Sequence, residues 1–175
     1  MRTTSSREVY RNPWTRVRED VVELSDGSTG VYGVVERPHF ALVIPVDRDG
    51  FWLVEQFRHP IGRRSWEFPQ GTWTPGQDGT PEALARTELA EETGLHAREL
   101  RHLGHLFGAY GFSSQGFDVY LATGLTNGTA APEPSEQDLR HRFVPAREFE
   151  AMVRRRDIVD AATLAAAQLL VLAQD

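Results

Sequence analysis

The segment Glu88-Leu89-Ala90-Glu91-Glu92-Thr93-Gly94-Leu95 constrains this chain more than any other part of it. It sets three carboxylates within five residues and then stops on a glycine. In helical geometry Glu88 and Glu92 stand at i and i+4, and Glu91 stands at i+3 from Glu88. All three then occupy neighbouring parts of one face, with β-carbons roughly 5–6 Å apart. A bare cluster of this kind repels itself. Either solvent covers it, as on many acidic helix faces, or a hard divalent cation such as Mg²⁺, which prefers oxygen ligands, resolves the conflict.

The residues upstream give the cluster a setting. Trp66-Glu67-Phe68-Pro69-Gln70-Gly71 reads as a short strand that ends in a turn. Thr80-Pro81-Glu82 reads as a helix start, with Thr80 as N-cap and Pro81 at the first helical position. The helix is expected over Pro81–Thr93, and Gly94 supplies a left-handed stop. The unit is a strand, a Gly-containing loop and a carboxylate helix.

This unit resembles the signature of the Nudix hydrolases, G-x5-E-x7-R-E-U-x-E-E-x-G-U with U aliphatic. Gly71 matches the first glycine, and Glu88, Leu89, Glu91, Glu92, Gly94 and Leu95 match the second half without a gap. The first half departs from the pattern. Two extra residues separate Gly71 from Glu88, Gln77 stands in place of the first glutamate, and Thr87 stands in place of the arginine. Arg86 is one position away, a rotation of about 100° around the helix, so it does not simply replace that arginine.

The resemblance extends over nearly the whole chain and is closest to the branch of ADP-ribose and nucleotide-sugar pyrophosphatases. Asn12-Pro13-Trp14, the strand around Val43–Val46 with its Asp47–Gly50 turn, Phe51–Arg58 with its Gln-aromatic-Arg ending, and Asp160-Ala161-Ala162-Thr163 occur in the order that branch shows. The resemblance implies a Nudix fold, an α/β/α sandwich with a mixed sheet between helices. It implies hydrolysis of a nucleoside diphosphate linked to another group, ADP-ribose or a related nucleotide sugar, with Mg²⁺ or Mn²⁺. GDP-mannose or a nucleoside triphosphate is an alternative substrate. A catalytically weak nucleotide-binding domain is another reading, favoured by Thr87 and Gln77.

For the chemistry, Glu88 and Glu92 are the first candidates for direct metal ligands, and Glu91 for bridging a further ion. By resemblance, the backbone carbonyl of Gln70 joins them. Ions there would neutralise the diphosphate and lower the pKa of the attacking water. The branch also implies a general base on a late loop, here Pro132–Leu139. Glu136 is the candidate, with Glu133 and Asp138 as competitors. Gln115 stands where the branch often has an acidic residue, and an amide cannot serve as a carboxylate base.

Arg58 fits a phosphate or ribose clamp at a strand end, or a surface ion pair. Glu67 could accept hydrogen bonds from a base or ribose, or pair with Arg58. Similar proteins are homodimers that often exchange N-terminal strands. Trp14 and Tyr32 could stack on a nucleobase in such an arrangement, although core or dimer packing is the plainer role. None of the six histidines has convincing zinc spacing. His102 and His105, three apart on an expected strand, should face opposite sides.

The composition narrows the classes. Charged residues make up 25% of the 175, and hydrophobic residues 40%, enough for a substantial core in a globular domain. A net charge of −6 argues against general nucleic-acid binding. Arg154-Arg155-Arg156, the one basic run, reads as a solvated helix end. There are no cysteines, which fits a reducing cytosol, and no signal peptide or membrane span is expected.

Along the chain, residues 1–8 read as loose. Strands are expected near 14–24, 31–37, 40–47 and 51–58, then at His102–Phe107, Phe117–Ala122 and Leu139–Val144. Gly124–Gln137 reads as loop, and Pro145–Arg155 and Asp160–Ala173 as helices. A single domain is expected, with neither an internal repeat nor an interdomain linker.

Overall fold

The computed structural model describes residues 1–131 and 138–173. The run Phe40-Ala41-Leu42-Val43-Ile44-Pro45-Val46 is apolar throughout, which is the pattern of a strand covered on both faces. It forms most of β4 (Phe40–Asp47), the middle of a seven-stranded mixed sheet. Leu42 and Ile44 point into one core with Leu53, Phe68, Phe117, Phe149, Met152 and Leu170. Ala41 and Val43 point into the other with Leu84, Ala85, Leu89 and Tyr120. The first core is closed by α2 (Ala146–Arg155) and α3 (Ala161–Leu172), and the second by α1 (Pro81–Thr93). The result is the expected α/β/α sandwich.

The strand order is β10-β5-β4-β9-β8, where β5 is Gly50–Arg58, β8 Leu95–Phe107, β9 Gly116–Asn127 and β10 Arg140–Pro145. β4 and β9 run parallel, so the chain must cross over between them, and α1 lies on that crossover. β4 and β5 pair only at the base of their hairpin, through Val46–Phe51 and Asp47–Gly50. Beyond it they part. β6 (Arg63–Glu67) takes the vacated edge of β5 and β7 (Gln70–Gly71) that of β4. Phe68 and Pro69 join the two, and Val43 N–H donates to Pro69 O at 2.9 Å. The segment that carries Glu67, Gln70 and Gly71 therefore fills a split in the centre of the sheet.

Helix α1 has the expected bounds. Thr80 Oγ1 accepts from Ala83 N–H at 3.1 Å, Pro81 opens the first turn, and Gly94 closes the helix at φ 69°, a conformation that favours glycine.

Residues 1–8 are not loose. β1 (Arg2–Arg11) pairs antiparallel with β2 (Arg16–Glu23), which pairs with β3 (Thr29–Glu36) in a separate three-stranded sheet. All ten residues of β1 are exposed, so no alternation of polar and apolar residues marks it. Its backbone pairing is supplemented by cross-strand pairs such as Arg2–Glu23 and Arg7–Glu19. The expected loop from Gly124 also begins later, because β9 continues through Leu125 and Thr126, opposite Ala97 and His96.

His102 and His105 do not face opposite sides. The register of β8 shifts by one residue between His102 and Gly104, a β-bulge that resets the alternation. Both rings meet Asp118, His102 Nε2 at 2.8 Å and His105 Nδ1 at 3.1 Å. The triple arginine is a helix end, with Arg154 on Glu150, Arg155 on Glu148 and Asp157, and Arg156 as the left-handed C-cap.

The cap at Thr80 makes a stability prediction. Thr80→Ala should lower unfolding free energy by about 1 kcal/mol, and Thr80→Ser should retain most of it. Urea unfolding distinguishes the two, and equal losses would mean that the hydroxyl does not cap α1.

Candidate functional site

The split between β4 and β5 opens onto a cleft of about 510 Å³. Arg37, Arg58, Glu67, Gln70, Gly71 and Asp160 are among the residues that line it. In the β5–β6 ladder Arg58 stands opposite Arg63 and Glu67 opposite Val54, on one face, and the Arg58 side chain reaches back along that face to Glu67. α3 begins beside them, which brings in Asp160 from far along the chain.

The three helical glutamates stand one layer behind this wall. Glu88 and Glu92 are buried and Glu91 is half-buried. Glu92 Oε2 accepts from the backbone N–H of Gln70 at 3.1 Å. The Glu88 carboxylate lies against Gly71 so closely that a β-carbon there would overlap it. A larger residue there would push the Glu88 carboxylate from its place. Arg86 turns away from the cluster, donating to Glu82 and to Ala97 O.

Arg58 and Glu67 form a two-pronged ion pair. Arg58 Nε reaches Glu67 Oε2 at 3.2 Å, Arg58 Nη2 bonds Oε1, and Gln56 Nε2 donates to Oε1 at 3.1 Å. Burial pushes the Glu67 carboxyl up to about 7, against the pull of Arg58 and Gln56. Burial also works against the Arg58 charge. There, however, attraction to Glu67, Glu92 and Asp160 outweighs it, and the pKa of Arg58 is raised. The two directions oppose one another within a single pair. The guanidinium stays charged, and it is the carboxyl that yields, because burial weighs most heavily on Glu67.

Asp160 does two things at once. Its Oδ2 accepts from Thr163 N–H at 2.8 Å, capping α3, and from Gln70 Nε2 at 3.1 Å. Thr163, fully buried, accepts from Phe68 N–H through Oγ1 at 3.0 Å.

The sequence-derived candidates thus separate into groups. Arg58, Glu67 and Gln70 line the cleft, with Glu88, Glu91 and Glu92 on the helix behind it. Trp14 sits in the turn between β1 and β2, where Asn12 Oδ1 accepts from its N–H, and Tyr32 lies on β3 beside Phe112 and Tyr110. Neither lines the cleft. Asp138 is engaged by Arg64. Glu136 and Glu133 lie outside the described residues. Gln115 borders the cleft and donates to Pro38 O at 2.8 Å, whereas Gln77 borders a neighbouring cleft with Trp73 and His39. Arg37, Gln56 and the Asp160–Gln70 contact escaped the sequence reading. The Asp-x-x-Thr spacing marked only a helix start, with no sign of a partner 90 positions away.

The donors near Gln70 are all oxygen, which suits a hard cation and not zinc. Among the described residues, no three His, Cys, Asp or Glu side chains converge into an ion site by themselves. An ion here would take one or two carboxylates, a backbone carbonyl, waters and substrate phosphate, the habit of Mg²⁺. The residues fit a divalent ion of that kind.

A family profile described as a NUDIX domain matches residues 36–165, and another, the nucleoside diphosphate sugar hydrolase N-terminal domain, matches residues 1–35. The chain belongs to the Nudix family. An ADP-ribose pyrophosphatase of Mycobacterium tuberculosis is 33% identical over 165 residues, covering 93% of this chain and 79% of that protein. One from Bacillus subtilis is 29% identical, covering 97% and 91%. A methanol dehydrogenase activator of Bacillus methanolicus is 28% identical at the same coverage. A crystal structure of an ADP compounds hydrolase matches this Nudix fold with a TM-score of 0.84 at 22% identity, over 97% of this chain and 91% of that one.

The raised Glu67 links stability to pH. Between its ordinary value of 4.5 and about 7, the folded protein holds a proton that the unfolded chain has released. This contribution is therefore full below 4.5 and lost as pH rises through 7. Glu67→Gln keeps an acceptor for Arg58 and removes the titration. In urea unfolding, the wild type should lose about 2 kcal/mol more than the variant between pH 5 and pH 7. Parallel curves would show that Glu67 is ionised throughout.

Proposed function

We propose that this chain is a metal-dependent pyrophosphatase that hydrolyses the diphosphate of ADP-ribose or a related nucleotide sugar. Water adds across one P–O–P linkage, giving a nucleoside monophosphate and a sugar phosphate. The observation that carries this reading is the seating of Glu88 and Glu92 directly behind the Gln70–Gly71 wall of an arginine-lined cleft, in a Nudix chain whose relatives include ADP-ribose pyrophosphatases.

Glu88, Glu92, Glu91 and the Gln70 carbonyl would hold the ion, Mg²⁺ by the oxygen-only donor set, with Mn²⁺ as a substitute. Bound there, it would neutralise the diphosphate and lower the pKa of the attacking water. Arg58, held charged between three carboxylates, presents its guanidinium to the cleft, where it suits phosphate or ribose oxygens. Arg37, at the same cleft, adds a second cation. Glu67 fixes the planar fork of Arg58 through two bonds, so little side-chain freedom is lost when substrate binds. The general base is assigned to Glu136 on resemblance alone.

A homodimer is part of this reading. The N-terminal sheet and its turn expose the large apolar side chains Val9, Tyr10, Trp14, Val31 and Tyr32. Pairing with a second copy would cover them and could bring Trp14 to a nucleobase. A cytoplasmic location is proposed from the lack of cysteine. No helix among the described residues is long and apolar enough to cross a membrane.

The test is product analysis with Mg²⁺ and a panel of ADP-ribose, GDP-mannose, other nucleotide sugars and nucleoside triphosphates. ADP-ribose should give AMP and ribose 5-phosphate. Glu92→Gln should fold normally and lose at least about 100-fold in kcat, because even partners outside a ligand shell cost 10–100-fold. Near-wild-type turnover in that variant sinks the ligand assignment. Ligand binding with no turnover of any substrate would favour the non-catalytic reading that Thr87 suggests.

A further inference from the structure

The loop that carries the proposed ion ligand Gln70 is not held by the carboxylate helix alone. The three residues Phe68-Pro69-Gln70 make four bonds to three different elements. Phe68 N–H donates to Thr163 Oγ1 at 3.0 Å and Gln70 Nε2 to Asp160 Oδ2 at 3.1 Å, both on or capping α3. Gln70 N–H donates to Glu92 at 3.1 Å on α1, and Pro69 O accepts from Val43 on β4 at 2.9 Å. A residue gripped by α1 through its backbone and by α3 through its side chain has little freedom left.

We infer that Asp160 is a positioning residue for the ion-binding loop, holding Gln70 through its side chain so that the Gln70 backbone stays in place beside Glu92. The inference rests on the ion site proposed above. Asp160 is suited to the task because its own position is fixed. The same oxygen that receives the Gln70 amide caps α3 through Thr163 N–H at 2.8 Å, and Thr163 is fully buried. Any shift of the start of α3 is therefore passed to Gln70, and through it to the contact with Glu92. The helix that closes one face of the sheet thereby sets the geometry of a site whose carboxylates come from the helix on the other face.

Side-chain length separates this role from a plain helix cap. Asp160→Ser retains a capping oxygen but is too short to reach Gln70. Asp160→Asn retains both acceptor bonds and discards the charge. Gln70→Leu removes the amide donor from the other end at similar volume and does not touch the cap.

The experiment measures Mn²⁺ binding to the substrate-free protein by electron paramagnetic resonance, with thermal unfolding alongside, for the wild type, these three variants and Glu92→Gln. The expected result is a roughly tenfold weaker Mn²⁺ affinity in both Asp160→Ser and Gln70→Leu, the range seen when partners of ligands are removed. Asp160→Asn should stay near the wild type. Asp160→Ser combined with Gln70→Leu should be no worse than either alone, as two ends of one contact must be.

Unchanged affinity in Asp160→Ser and Gln70→Leu, with Glu92→Gln abolishing binding, overturns the role of Asp160 and leaves the ion site standing. A loss in Asp160→Asn equal to that in Asp160→Ser overturns positioning in favour of simple charge attraction. Failure of the wild type to bind Mn²⁺, or full binding by Glu92→Gln, overturns the ion site and this inference together. Should Asp160→Ser not fold, Gln70→Leu decides on its own.

Discussion

A carboxylate taken out of water must be hydrogen-bonded or compensated, and most of this site follows from how the chain meets that demand for Glu92. Glu92 is fully buried on α1, and the backbone N–H of Gln70 reaches its Oε2. That one bond draws the turn after β6 down onto the helix. With the turn drawn in, the next residue meets Glu88, and a side chain on Gly71 would displace that carboxylate. The central strands must part to admit the segment, and β4 and β5 pair only at the base of their hairpin. The split sheet, the glycine and the cleft are one solution to the burial of two carboxyl groups.

The same demand accounts for how the chain manages without an arginine at Thr87. A guanidinium on α1 at that position would have stood beside the glutamates. Here Arg86 faces outward to Glu82 and Ala97, so the helix supplies no such cation. Arg58 comes from β5 instead, and attraction to Glu92 is one of the causes that raise its pKa. Its charge is shared among Glu67, Glu92 and Asp160. Glu67, which Arg58 bonds directly, has its carboxyl pushed up toward neutrality by burial. The cation nearest these carboxylates thus comes from a strand and not from α1.

What could be read from the sequence follows the range of the interactions involved. α1 was legible to the residue because a cap, a proline and a stop glycine are local signals at fixed offsets. β4 was legible because an unbroken apolar run needs two covered faces. The carboxylate triplet announced itself through spacing alone. β1 was hidden, since a strand with every side chain in water shows no periodicity. The bulge at His102–Gly104 was hidden because one inserted residue reverses an alternation that the sequence otherwise states correctly. The Asp160–Gln70 contact joins residues whose types say nothing of each other, and only the packing of α3 on the sheet brings them together.

The location of the cleft also sets limits on how such a site can be altered. Its walls come from β5, β6, β7 and the start of α3, elements that meet only where the sheet is split. The two residues inserted between Gly71 and Glu88 fall in the loop that follows β7, and that loop turns toward a separate cleft bordered by Trp73, Gln77 and His39. Gln77 lies in this loop and not at the cleft lined by Arg58 and Glu67. Gly71 stays against Glu88 through the helix and through the bonds that hold Phe68, Pro69 and Gln70. A loop anchored at both ends by buried bonds can lengthen between its anchors, and it is the anchors, not the count of residues between them, that preserve the arrangement of Glu88, Gly71 and Glu92.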